Sequence, residues 1–135
     1  MPYVIGIVLG LVTTLIGRTV GFDRDRAFYP TILIVVGAYY VLFAAMGAPQ
    51  ALIAETMGGL MFLAVGIIGF RTNLWLIAAG LTGHGVFDSF HERLVSNPGA
   101  PIWWPAFCMT IDIVLGVALA WLLRSGRLAH QVVMR

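Results

Sequence analysis

Two histidines and a carboxylate crowd into Gly80-Leu81-Thr82-Gly83-His84-Gly85-Val86-Phe87-Asp88-Ser89-Phe90-His91-Glu92-Arg93, inside a sequence that is otherwise almost wholly apolar. At about 100° per residue, a helix sets Asp88 about 40° from His84 and His91 about 20° to the other side, so all three share one stripe. Glu55 and Asp112 also lie inside apolar runs. Imidazoles and carboxylates together are the donor types that hold Zn²⁺, Fe²⁺ or Mn²⁺, and one helix can offer several of them. The spacing therefore predicts a divalent metal ion held by His84, Asp88, His91 and Asp112. Glu55 and Asp88 are the candidate catalytic groups, with Glu55 a further ligand or a proton acceptor. Such an ion polarises a substrate oxygen or activates water or dioxygen.

Each residue also has a plainer role. His91 and Glu92 sit where a helix end meets water, and Asp88 can pair with Arg93 or His91. His84 and Asp112 can form a buried hydrogen-bonded pair that fastens two helices. Glu55 can act as an inter-helix or helix-end group. His91-Glu92 is followed by Arg93-Leu94-Val95, so no HExxH is present, and the single Cys108 lies in an apolar stretch outside the predicted set. Ser89 falls about 140° from His84, off the working face. His84 and His91 share a face and cannot bind opposite sides of one haem iron. Gly80, Gly83 and Gly85 clear space beside His84, for a ligand or a neighbouring helix. Tyr39 and Tyr40 lie deep in their helix, where a phenol needs a hydrogen-bond partner.

The elements that must position these groups follow from composition. Of 135 residues, 60% are hydrophobic and 10% charged, too apolar for a soluble domain of this size. Runs of about 20 apolar residues match the bilayer core. The predicted fold is an all-α, polytopic integral membrane helix bundle, a single transmembrane domain over residues 1–135. Its five spans run from about Pro2 to Gly21, Ala27 to Gly47, Ala51 to Phe70, Leu74 to Leu94 and Ile102 to Leu123. Met1-Pro2-Tyr3 brings no basic segment before the first run, which reads as a retained span and not a signal peptide. Gly6, Gly10, Gly17 and Gly21 give that span a small-residue stripe for close helix approach, to an internal neighbour or another subunit. Trp103-Trp104-Pro105 reads as an interfacial anchor, and the Asn97-to-Pro105 connection as a cap over the pocket or a rigid re-entry turn.

Arg18, Arg24, Arg26, Arg71, Arg124, Arg127 and Arg135 fall on one side of a five-span chain and Arg93 alone on the other. The positive-inside rule then sets the N-terminus outside and the C-terminus in the cytoplasm, in a plasma or bacterial inner membrane. Counted inward from the outer helix ends, His84 and Asp112 both lie about 15 Å deep and Asp88 and Glu55 both about 9 Å, which predicts one outward-opening pocket. The function this implies is a metal-binding membrane protein, an enzyme acting on a lipid-like substrate if it is one at all. A proton- or cation-coupled transporter or channel subunit uses the same groups, and so does a non-catalytic accessory subunit. Membrane lipids are the expected partners, and the small-residue faces leave room for a homo-oligomer. A net charge of +2 gives no reason to expect nucleic acid.

Overall fold

The computed structural model describes residues 1–128; His130 and Arg135, both assigned above to a cytoplasmic tail, lie outside the described residues. The described residues form six α-helices: α1 (Pro2–Val20), α2 (Phe28–Gly47), α3 (Leu52–Arg71), α4 (Leu74–Asp88), α5 (His91–Leu94) and α6 (Trp104–Arg124). Short 3₁₀ turns cover Phe22–Arg24 and Pro49–Ala51. Local chemistry sets the boundaries. Proline occupies the first turn of α1 and α6, where a missing N–H costs nothing. Asn73 caps α4 by accepting the Trp75 N–H at 2.9 Å. Gly21, at φ 90°, ends α1 in the left-handed conformation and donates its N–H to the Gly17 carbonyl.

Among the described residues four helices are long and apolar enough to cross a membrane: α1, α2, α6, and α3 counted with the 3₁₀ turn before it. The chain is thus a multi-pass helix bundle by length and composition. The stretch expected to be one span from Leu74 to Leu94 is not a continuous helix. At 15 residues α4 is about 22 Å long, short of a bilayer core. Its end tightens into i→i−3 bonds, Ser89 N–H to the Val86 carbonyl and Phe90 N–H to the Phe87 carbonyl. The Ser89 hydroxyl also donates to the Val86 carbonyl at 2.6 Å, and such side-chain competition is how serine stops a helix. The chain then restarts one turn later as α5.

Close approaches at glycine fix the register. Gly59 meets Val41 and Gly66 meets Ile34, so α2 and α3 are antiparallel; Gly69 meets Ile77 and Gly80 meets Val65, so α3 and α4 are too. Gly85 faces Ile113 and Gly116 faces Thr82, which makes α4 and α6 antiparallel. Gly6 faces Thr110 and Gly10 faces Val114, so α1 runs parallel to α6. Gly6 and Gly10 of the α1 stripe are therefore spent on α6 of the same chain, while Gly17 faces Phe28 at the start of α2. The opposite face of α1 presents Val4, Val8, Leu11 and Leu15, all exposed in the isolated chain, as a surface suited to lipid.

The helix α4 is central, packed on α6, α3 and α2. Leu33, Ile77, Leu81, Leu115, Leu119 and Leu122, each at most 1% exposed, fill the space between these helices. Burying one such leucine contributes about 1.5–3 kcal/mol in an aqueous reference; between helices in lipid the gain is packing density instead. Arginines collect at one end of the bundle. Arg71 and Arg124 end α3 and α6, Arg26 donates to the Phe70 carbonyl at 2.6 Å, and Arg18 and Arg127 lie over Trp121. Arg93, in α5, is at the other end.

Candidate metal centre

His84 and Asp88 stand one turn apart on α4, and Cys108 and Asp112 one turn apart on the facing stripe of α6. The two helices close tightly because Gly85 carries no side chain: a Cβ there would lie 2.7 Å from the Met109 carbonyl oxygen and 2.9 Å from Ile113 Cγ1. At this spacing His84 Nδ1 is 2.7 Å from Asp112 Oδ2 and 3.6 Å from Asp88 Oδ2. The Cys108 thiol donates to Asp112 Oδ2 at 3.4 Å, and the Tyr40 hydroxyl donates to Asp88 Oδ1 at 2.9 Å. One donor atom from each of His84, Asp88, Cys108 and Asp112 lies within 4.8 Å of every other, and all four residues are buried. That group could hold a metal ion.

Electrostatics points the same way. Asp88 and Asp112 are 2% and 0% exposed, and no arginine is within ion-pair distance of either among the described residues. Asp88 Oδ2, Asp112 Oδ1 and His84 Nε2 have no hydrogen-bond partner among the described residues. One imidazole, His84, faces two buried carboxylates and can balance the charge of only one, so the cluster must share protons or take a cation.

A second cluster adjoins the first. The His91 Nε2–H donates to Glu55 at 3.0 Å to Oε1 and 3.2 Å to Oε2, and Asn97 Nδ2 donates to Glu55 Oε1 at 2.7 Å and to the Tyr40 carbonyl at 3.1 Å. Tyr40 joins the clusters: its hydroxyl holds Asp88 while its ring stacks on His91 with centroids 3.8 Å apart. The connection after α5 thus folds back over the site through Asn97. It seats Gly99 directly against the Phe43 carbonyl, a position with no room for a side chain.

No protein-family model, curated protein or solved structure matches the chain.

Among the sequence-derived site residues, His84, Asp88 and Asp112 come together. His91 stands apart from them and pairs with Glu55, because α4 stops at Asp88 and the turn carries His91 over towards α3. Asp88 binds Tyr40, not Arg93, which lies on the rim. Cys108 takes the fourth position in the group, although the set predicted from the sequence leaves it out. Its signal was present in the spacing, since it precedes Asp112 by one helical turn on the same face. The Asn97 side chain carried no signal, because a loop running into Pro98 and Gly99 has no periodicity to place it.

Of the four cluster residues, Asp88 borders a pocket at the end where Arg93 lies. A pocket of about 330 Å³ between the start of α1, the α4–α5 break and the start of α6 includes Asp88 in its wall, with Ile102 and Met109 as apolar surface and Glu92 and Arg93 as charged groups. This volume is at the small end of ligand pockets.

Proposed function

We propose that this chain is a membrane-embedded metal protein, with one divalent ion held by His84, Asp88, Cys108 and Asp112 and with Glu55 and His91 as the adjoining proton-accepting pair. The observation that carries this reading is the convergence of four buried donors while Asp88 Oδ2 and Asp112 Oδ1 lack a hydrogen-bond partner among the described residues. A thiolate, an imidazole and two carboxylates in a compact group suit Zn²⁺ or Fe²⁺ better than Mg²⁺ or Ca²⁺. When bound there, the ion would supply Lewis acidity towards a substrate oxygen or a water. Tyr40 orients Asp88, and Asn97 and His91 together fix the Glu55 carboxylate. The wall of Ile102 and Met109 with Arg93 nearby favours an amphiphilic, lipid-like substrate entering from the bilayer. Transport across the membrane is less well supported, because the layer on the arginine side is filled mainly by leucine, with Tyr29 the one polar side chain among its described buried residues.

The topology proposed is five spans in one transmembrane domain, with the short α4 completed by the α5 turn. The alternation of helix direction in the register supports it, and the gathering of arginines at one end favours a cytoplasmic C-terminus, an external N-terminus and a site opening outward. A reporter fused after Arg135 is expected to be active on the cytoplasmic side alone, and one fused before Pro2 on the outer side alone. Both termini on one side would remove the five-span arrangement.

The decisive measurement is metal analysis of the wild-type protein purified without chelator and without a histidine tag. About one zinc or iron per chain is expected. Protein that is folded, metal-free and unable to take up added Zn²⁺ or Fe²⁺ would overturn the reading.

A further inference from the structure

At the arginine-rich end, far from the metal cluster, Gly21 turns the chain out of α1 and the 3₁₀ turn Phe22–Arg24 carries Asp23 inward. A pocket of about 460 Å³ opens there, lined by Arg18, Asp23, Arg24, Arg127 and Leu128. Among the described residues its charges are unpaired. None of the three guanidinium groups has a carboxylate within 4.0 Å among the described residues, and Asp23, only 7% exposed, has neither a hydrogen bond nor an ion pair among them. Arg18 and Arg127 are positioned on the Trp121 ring at 5.6 and 4.7 Å, so two of the cations are held in place.

We infer that this pocket binds the headgroup of an aminophospholipid, with the phosphate on the guanidinium groups and the primary ammonium on Asp23. Guanidinium groups match phosphate oxygens in geometry as well as charge. A buried carboxylate facing the same space calls for a cation that can donate hydrogen bonds. A phosphoethanolamine group presents both charges a short spacer apart, at the depth where a tryptophan belt meets the headgroups. An anionic glycerol headgroup would leave Asp23 unpaired, and a choline would bring a cation without a donor.

The test is thermal unfolding of the full chain in detergent, titrated with short-chain phosphatidylethanolamine, phosphatidylglycerol or phosphatidylcholine. A ligand that binds the folded state raises the midpoint in proportion to its affinity. The ethanolamine lipid is expected to act at about tenfold lower concentration than either of the others. Asp23→Asn should abolish the preference over phosphatidylglycerol, and Arg18→Gln with Arg127→Gln should abolish the response to all three. Equal responses to the ethanolamine and glycerol lipids would overturn the inference in favour of a simple phosphate-attracting patch. No response to any lipid in the full chain would overturn it outright. The three-lipid comparison on wild-type protein decides the matter even if a variant fails to fold.

Discussion

Asp112→Asn is expected to insert, fold and bind no metal. The amide is close in shape to the carboxylate and still accepts from His84 Nδ1, so little packing changes, but the charge that draws a cation is gone. Metal content should fall below about a tenth of wild type, because deprotonated ligands are what a divalent ion requires. If His84 and Asp112 only fasten α4 to α6, the same variant loses about 1 kcal/mol or less and nothing else changes. A double change sharpens the distinction. His84→Leu with Asp112→Leu removes both polar partners and leaves an apolar pair of similar bulk. In a purely structural cluster this double variant should recover most of the stability lost by either single leucine change, since it no longer strands a polar group. In a metal centre it should remain less stable than the loaded wild type by about 4 kcal/mol when the ion is at a thousand times its dissociation constant. Metal stoichiometry and unfolding midpoints of the singles, the double and wild type separate the two cases. A metal-free wild type with a fully rescued double would end the metal reading.

The depth count from the sequence placed His84 and Asp112 level with each other, and they meet at 2.7 Å. Those positions were legible because both residues lie well inside long helices, where rise per residue and neighbouring spans leave little freedom. Glu55 and Asp88 were also placed level, yet each has another partner: His91 and Asn97 hold Glu55, and Tyr40 holds Asp88. The difference comes from Ser89, which ends α4 early and lets the next turn swing His91 across. A stripe drawn on a continuous helix cannot anticipate that break. Tyr40 was legible only as a phenol in need of a partner. The gathering of Arg18, Arg24, Arg26, Arg71, Arg124 and Arg127 at one end of the bundle was readable from charge order alone, because long helices fix which chain ends lie together. Whether the stripe of Gly6 and Gly10 faced an internal helix was not readable; the structure assigns it to α6, as it takes a partner's register to choose among equivalent small-residue faces.

Cys108 gives the second large effect, because sulfur and oxygen select different ions. Cys108→Ser keeps the shape of the side chain and its hydrogen bond to Asp112, so a structural role predicts unchanged folding and unchanged metal content. As a ligand, the thiolate contributes softness that favours Zn²⁺ and Fe²⁺, and replacing it with a hydroxyl leaves an imidazole and two carboxylates, a set closer to what Mn²⁺ accepts. The serine variant should therefore lose zinc affinity by at least about a hundredfold, larger than the 10–100-fold usual for a residue that merely supports a ligand. Its manganese affinity should change far less. Cobalt(II) makes the bond visible: wild-type protein loaded with Co²⁺ should show a sulfur-to-metal charge-transfer absorption that Cys108→Ser lacks and Glu55→Gln retains. Glu55 is the control because its carboxylate is engaged by His91 and Asn97, outside the four-donor group. Equal zinc affinity and equal spectra in wild type and Cys108→Ser would remove the thiol from the centre. The site would then be a three-donor group of His84, Asp88 and Asp112, and manganese or iron would replace zinc as the expected ion.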